Sequence, residues 1–395
     1  MPCISFLDSE APPCLRLPGA LGEWTLRHYD LPDGMREWPD APRPDDRWLS
    51  ASTLGYLATH LNEIETSAVH LAHADGERQV WLTVQSFLFR SGRQIRPGAG
   101  GRVSRWDIRR RLLSLGSTRV LCIGQLLTSG DYALAVRGVD ADLLNRLLVA
   151  TADALAGPGC GYGAVLLKDI HRGRAAATYL TDRQFHPLPA DPVMLLDLRP
   201  FADREDYLER LSSKYRIRYR RARGKLDGII RRPLSAQRVR RERYRLHALY
   251  RATSHGADVN VVNLEPDYFT WLALTEPVYG YFAPDGRLVG FTTALSNGPV
   301  YQAHYLGLEE AYKYSHHLYH NMLFDHLEDA LAGGFERLDY GRTAPEIKSS
   351  VGAEPVHFTS YLRLRSSVLN RCVPHFVPAL FTPAPWQSRS PFRQA

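Results

Sequence analysis

Long apolar runs are missing from this chain. No stretch of eighteen apolar residues occurs, so no segment has the length of a membrane-spanning helix and no membrane insertion is expected. The opening residues, MPCISFLDSEAPPC, lack a charged region followed by an apolar one, which fits a cytoplasmic protein. Cysteine is scarce: Cys3, Cys14, Cys122, Cys160 and Cys372 are odd in number and include no CxxC pair. Neither a disulfide framework nor a zinc centre follows from that spacing, so reduced thiols are expected, with Cys122 read as core. A nucleophile elbow is absent too, as is any Cys/His signature, which argues against a covalent enzyme intermediate. The run Gly157-Pro158-Gly159-Cys160-Gly161-Tyr162-Gly163 is glycine-rich, yet it follows a helical pattern and precedes a strand. That is the reverse of a phosphate loop, and it reads as a helix stop.

What is there is a globular composition, 44% hydrophobic and 23% charged, in 395 residues. Such a length suits two domains better than one core. The net charge of +7 says less than its distribution: Ser212 to Leu246 holds fourteen Lys or Arg against two acids. The remainder is therefore slightly acidic, and the basic segment is the footprint expected for a polyanionic partner.

Periodicity divides the chain into an irregular lead-in over residues 1–50, a first α/β unit over 51–198, a second over 199–368 and a Pro-rich tail over 369–395. In the first unit a helix is expected at Ala51 to Ile64, with strands at Arg78 to Arg90, Val120 to Gln125 and Tyr132 to Val136. An amphipathic helix from Ala141 to Leu155 then leads to the apolar strand Gly163 to Ile170. The second unit repeats this plan. Val278 to Phe282, Leu288 to Ala294 and Val300 to Leu306 form a meander turned by Asp285-Gly286 and Asn297-Gly298. A helix from Tyr312 to Leu331, stopped by Gly333 and Gly334, leads into a strand at Phe335. Helices from Asp203 to Leu211 and Ser213 to Leu226 join the halves. From Pro374 onward five prolines break any pattern.

Gly334 to Pro355, GFERLDYGRTAPEIKSSVGAEP, reads as a strand ending in Gly341, then Arg342, Glu346 and Lys348 on a loop. Open α/β sheets hold ligands at such carboxyl ends. Glu346-Ile347-Lys348 followed by Gly352-Ala353 resembles the C-terminal half of the FemAB-like branch of the GCN5-related N-acyltransferase superfamily. Tyr207-Leu208 followed by Leu211-Ser212-Ser213-Lys214-Tyr215-Arg216 resembles the opening of that family's second unit. The resemblance implies an α/β (α+β) protein of two tandem acyltransferase-like units with mixed sheets, the cleft in the second unit. It implies an enzyme that moves an acyl or aminoacyl group to an amine of a small molecule or peptide by direct attack. The donors implied are acyl-CoA, an acyl-carrier protein or aminoacyl-tRNA, as co-substrates and not tightly held cofactors. Coenzyme A users carry a glycine-rich loop before the long helix, whereas this chain reads Gly307-Leu308-Glu309-Glu310-Ala311-Tyr312-Lys313. FemAB-like enzymes also lack that loop and use tRNA, which fits the basic helix.

By the same resemblance Lys348 meets the acyl donor and the acceptor amine is deprotonated near His304 and Tyr305, with His304, its pKa near neutrality, as the base candidate. Alternatives stand beside each: a solvated loop lysine, and a histidine bonded in the core. Tyr340, Arg342 and Glu346 share the crevice as substrate-binding candidates; Tyr340 reads equally as packing and Glu346 as surface charge, a partner of Lys348 or a base. Ser315, His316 and Tyr319 open the long helix, whose N-terminus offers N–H groups to an anion. His316 and His320 lie one turn apart, but no third ligand accompanies them, so no metal is expected. Lys214, Arg216, Arg218, Tyr219 and Arg220 are candidates for donor phosphate or tRNA, arginines for phosphates and tyrosine for stacking. The bland counterpart is a junction helix paired to the acidic remainder. A non-catalytic nucleic-acid or carrier-binding protein is the rival of another class.

Overall fold

The computed structural model describes residues 14–30, 34–43, 45–90, 116–171, 177–254, 262–380 and 385–393. They fall into two compact units: one holds the described residues up to 190 with 262–263 and 357–380, the other holds 191–254, 264–356 and the last described segment. The fold is mixed α/β, with one mixed sheet in each unit and helices flanking it.

The first unit comprises β1 (Cys14–Arg16), β2 (Trp24–Tyr29), α1 (Ala51–His60), β3 (Ile64–His73), β4 (Gln79–Arg90), β5 (Ser117–Ile123) and β6 (Leu134–Arg137), then α2 (Ala141–Leu155), β7 (Ala164–His171), α3 (Ala177–Asp182) and β8 (His186–Leu188). β4 is buried continuously from Val80 to Phe87, as a central strand covered on both faces must be. α2 begins where Asp140 accepts the Leu143 N–H. Its buried residues Leu144, Leu147, Leu148, Thr151, Ala152 and Leu155 recur at helical spacing, so one stripe drives it onto the sheet.

The second unit comprises β9 (Val193–Asp197), α4 (Arg204–Arg210), α5 (Ser213–Lys225), β10 (Ile230–Pro233), α6 (Ala236–Ser254), α7 (Pro266–Leu272), β11 (Val278–Phe282), β12 (Leu288–Asn297) and β13 (Val300–Leu308), then α8 (Glu310–Ser315), α9 (Leu318–Ala332), β14 (Arg337–Asp339), α10 (Pro345–Ser349) and β15 (Glu354–Val356). Its sheet runs β10-β11-β12-β13-β14-β9-β15. β13 and β14 are parallel, joined by the α8–α9 crossover; β9 is antiparallel to both β14 and β15. The first sheet ends in the same way. There β5 and β7 are parallel, and β16 (Phe358–Leu364) is antiparallel to both β7 and β8.

This repeat contains an exchange that periodicity did not reveal. Each unit's penultimate strand comes from the chain bordering the other: β9 follows β8 yet completes the second sheet, and β16 follows β15 yet completes the first. Strand pairing is set by side-chain registers between distant segments, which a local pattern does not carry.

Four further expectations change. The long helix of the second unit is broken into α8 and α9, because His317 adopts the left-handed conformation (φ 49°). Residues after Arg342 are not a plain loop; Pro345 opens the short α10, Pro being compatible with a first helical turn. The C-terminal segment forms α11 (Ser367–Leu380), through Pro374 and Pro378. Cys160 is disulfide-bonded, against the expectation of reduced thiols, while Cys14, Cys122 and Cys372 are free.

Candidate functional site

The second unit's parallel ladder is short. Val300, Tyr301 and Gln302 pair with Arg337, Leu338 and Asp339, and there it stops. β13 continues to Leu308 on β12 alone, while the chain after Asp339 stays with β9, Tyr340 N donating to Met194 O (3.0 Å) and Met194 N to Gly341 O (3.1 Å). The two strands therefore diverge beyond Gln302 and Asp339. A parallel pair that parts in this way presents the carboxyl ends of two strands to one ligand.

On the β14 side, Thr343 (φ 66°) and Ala344 (φ 48°) are both left-handed, an energetically costly turn that folds α10 back under the strand end. Lys348, 4% exposed, is the group this turn delivers. Its ammonium donates to the carbonyls of Gly341 (3.3 Å) and Arg342. Burial brings its pKa down to about 7, with Asp339 and Asp191 opposing. Lys348 is thus no solvated loop lysine. An ammonium has three donors, and two of these are directed at backbone carbonyls.

The neighbours predicted for it are arranged otherwise. Tyr340 is buried in the core and its hydroxyl donates to Leu323 O (2.8 Å), which makes it a packing residue. Glu346 accepts from Arg389 (Nε at 3.1 Å), so it is not the partner of Lys348. Arg342 is half-buried beside Gly341.

On the β13 side, His304 Nε2 meets the Tyr268 hydroxyl at 2.7 Å, and Tyr305 packs edge-on to Tyr250 and Tyr268. Desolvation lowers the His304 pKa to about 3 and raises that of Tyr305 well above its usual value. The expected base with a near-neutral pKa is therefore a neutral imidazole. Tyr268, from α7, escaped the sequence reading; its only signal was the aromatic run after Pro266.

The α8–α9 break is held by Asn321, whose amide donates to the carbonyls of Ala222 (2.8 Å), His317 (3.2 Å) and His316 (3.3 Å). Ser315 turns back on Ala311 O and His316 Nδ1, and the His316 ring lies 4.9 Å from that of Tyr312. Tyr319 is packed against the core, with burial pushing its pKa to about 12. His317 and His320 have ring centroids 5.9 Å apart. Desolvation lowers both; His317 feels Lys225 and Arg221 as well, and His320, at about 4, feels His317 and Arg218. The N-terminus of α9, without a side-chain cap, is thus bordered by three cations of α5. Uncapped N–H groups and positive charge together favour an anion.

The other face of α5 is neutralised. Tyr219 OH donates to Glu328 (2.8 Å), and Arg223 donates to Asp325 (2.6 Å) and Glu328 (2.5 Å). Arg231 pairs with Asp329, and Tyr281 OH donates to Asp325 (2.6 Å). Burial works against the Arg223 charge, but Asp325 and Glu328 raise its pKa overall. Tyr219 is consequently engaged inward, against the expectation that it stacks on a base. Lys214, Arg216, Arg218 and Arg220 form no ion pair among the described residues. The acids of α9, one turn apart, were the missed signal.

At the corresponding place in the first unit the strand ends are bound together. Beyond Ile123, Lys168 donates to Thr128 O (2.8 Å) and Asp169 (2.6 Å), and Asp169 accepts from Gly130 N (3.0 Å). Gly124 (φ 141°) allows this, since a Cβ there would lie 2.7 Å from that of Lys168. Lys168→Met is expected to cost about 1–3 kcal/mol in urea unfolding by leaving buried partners unsatisfied.

No protein-family model matches the chain, and no curated protein matches it. Solved structures that it is similar to include FemX (11% identity, TM-score 0.46, covering 78% of this chain and 90% of that one) and L-PGS from Bacillus licheniformis (14%, 0.44, 86% and 97%). A GCN5-related N-acetyltransferase from Sphaerobacter thermophilus is similar at 13% identity and TM-score 0.42, covering 88% and 96%.

Proposed function

We propose that the second unit is an N-acyltransferase that takes an acyl or aminoacyl group from a phosphate-bearing donor and passes it directly to an amine. The observation that carries this reading is the divergence of β13 from β14 next to the cationic N-terminus of α9. An extended donor lies between the strand ends with its phosphates on α9, Arg218, Arg221 and Lys225. Lys348 has a third N–H for the acyl oxygen as negative charge develops there. The neutral amine attacks the acyl carbon, the new C–N bond forms, the bond to the thiolate or ribose oxygen breaks, and the amine proton leaves with that group. Neutral His304, fixed by Tyr268, orients the acceptor and does not deprotonate it.

The test is intact-mass screening of candidate amines with acyl-CoA, acyl-carrier and charged-tRNA donors in parallel. Transfer from one donor class is expected, reduced about tenfold or more in Arg218→Glu/Arg221→Glu through loss of charge-assisted phosphate contacts. Lack of transfer from every donor, or equal rates in the variant, would overturn the reading.

A further inference from the structure

We infer that a second face of α5 docks an acidic helix of a carrier-type protein, one that brings the acyl group on a phosphate-bearing arm. This inference deepens the proposed transferase reading and rests on it for the donor. Leu208, Glu209, Ser213, Arg216, Ile217 and Arg220 line a shallow recess of about 380 Å³ between α4 and α5. Ile217 stands in it 63% exposed, which is unusual for isoleucine on a basic helix. Lys214 and Arg220, three residues to either side, and Arg216 surround it on the helix surface.

An apolar side chain bordered by three cations, which outnumber Glu209, the one acid of the recess, matches a surface of opposite pattern, an apolar residue flanked by carboxylates. A nucleic acid fits less well. The two aromatic residues of α5 are withdrawn: Tyr215 is 8% exposed beneath Arg218 and Lys214, whose charged groups lie 5.0 and 5.9 Å from its ring centre, and Tyr219 is bonded to Glu328. No ring is left on α5 for base stacking, and a phosphate backbone gains nothing from Ile217. Position supports a carrier as well. At 3.6 residues per turn, the stripe through Ser213, Ile217 and Arg220 adjoins the stripe through Arg218, Arg221 and Lys225, so a protein on the first presents its arm to the second.

The test measures fluorescence anisotropy of a labelled holo acyl-carrier protein and of a labelled RNA hairpin, each titrated with the full chain in low and moderate salt. The carrier is expected to bind more tightly than the hairpin, and Ile217→Glu and Arg216→Glu/Arg220→Glu are each expected to weaken it about tenfold or more. The urea midpoint of Ile217→Glu is expected to stay at the wild-type level, as befits a side chain that is 63% exposed. Carrier binding unaffected by either variant, or a hairpin that binds more tightly and is lost in both, would overturn the inference. If the carrier binds this face but no donor supports transfer, the catalytic reading fails and the docking face stands.

Discussion

Lys348→Met is expected to lower kcat/KM for transfer by about 10²–10³-fold, the loss measured when one preorganised donor to a developing oxyanion is removed. Lys348→Arg is not a rescue, because a planar guanidinium does not fit a buried site shaped to two carbonyls on one side. The same residue has a signature in stability. Its folded pKa, about 7, lies below the ordinary value of 10.5. Between these limits the unfolded chain holds a proton that the folded chain has released, so stability rises with pH across that window, by up to about 1.4 kcal/mol per unit. Below pH 7 both states carry the charge, the slope vanishes and the desolvation cost is fully present. Urea unfolding at several pH values should show this slope in the wild type and not in Lys348→Met. An unchanged slope would mean that the ammonium is not buried as described.

Asp325→Ala should give the largest loss of stability, about 3–5 kcal/mol, since breaking a buried pair leaves its partners uncompensated. Arg223 and the Tyr281 hydroxyl both lose their acceptor on that carboxylate, and Arg231 loses a neighbouring charge at 3.7 Å. Glu328→Gln, which keeps an acceptor for Tyr219 and leaves Asp325 in place, should cost less than half as much. Because Arg223 also donates to Asn321 (3.3 Å), and Asn321 fixes the α8–α9 break, the variant should weaken donor binding too. Denaturant midpoints measure the first effect and KM for the donor the second. A cost below about 1 kcal/mol would show that the network is a surface feature.

The meander of the second unit was legible because β11 and β12 are joined by Asp285-Gly286 and β12 and β13 by Asn297-Gly298, turn chemistry that few other conformations satisfy. α2 was legible to the residue, given its cap and apolar stripe. The site was harder to see. Tyr340 and Tyr219 had the right chemistry in the right stretch, yet one is bonded to Leu323 and the other to Glu328, over 17 and 109 residues. Exposure of an aromatic hydroxyl depends on what packs against it, and that partner lies elsewhere in the chain.

Local order in this protein was determined by its amino-acid pattern alone: two α/β repeats, a basic helix, a strand ending in glycine before a lysine. Those features depend on residues within a few turns of one another, where spacing and propensity act directly. Only the tertiary structure decided that β9 and β16 change places between the sheets, that one unit's strand ends are bound by Lys168 while the other's diverge, and that His304 is neutral while Lys348 lies near neutrality. Each of these depends on how far a group is removed from water by distant segments, and desolvation has no signature in a linear string.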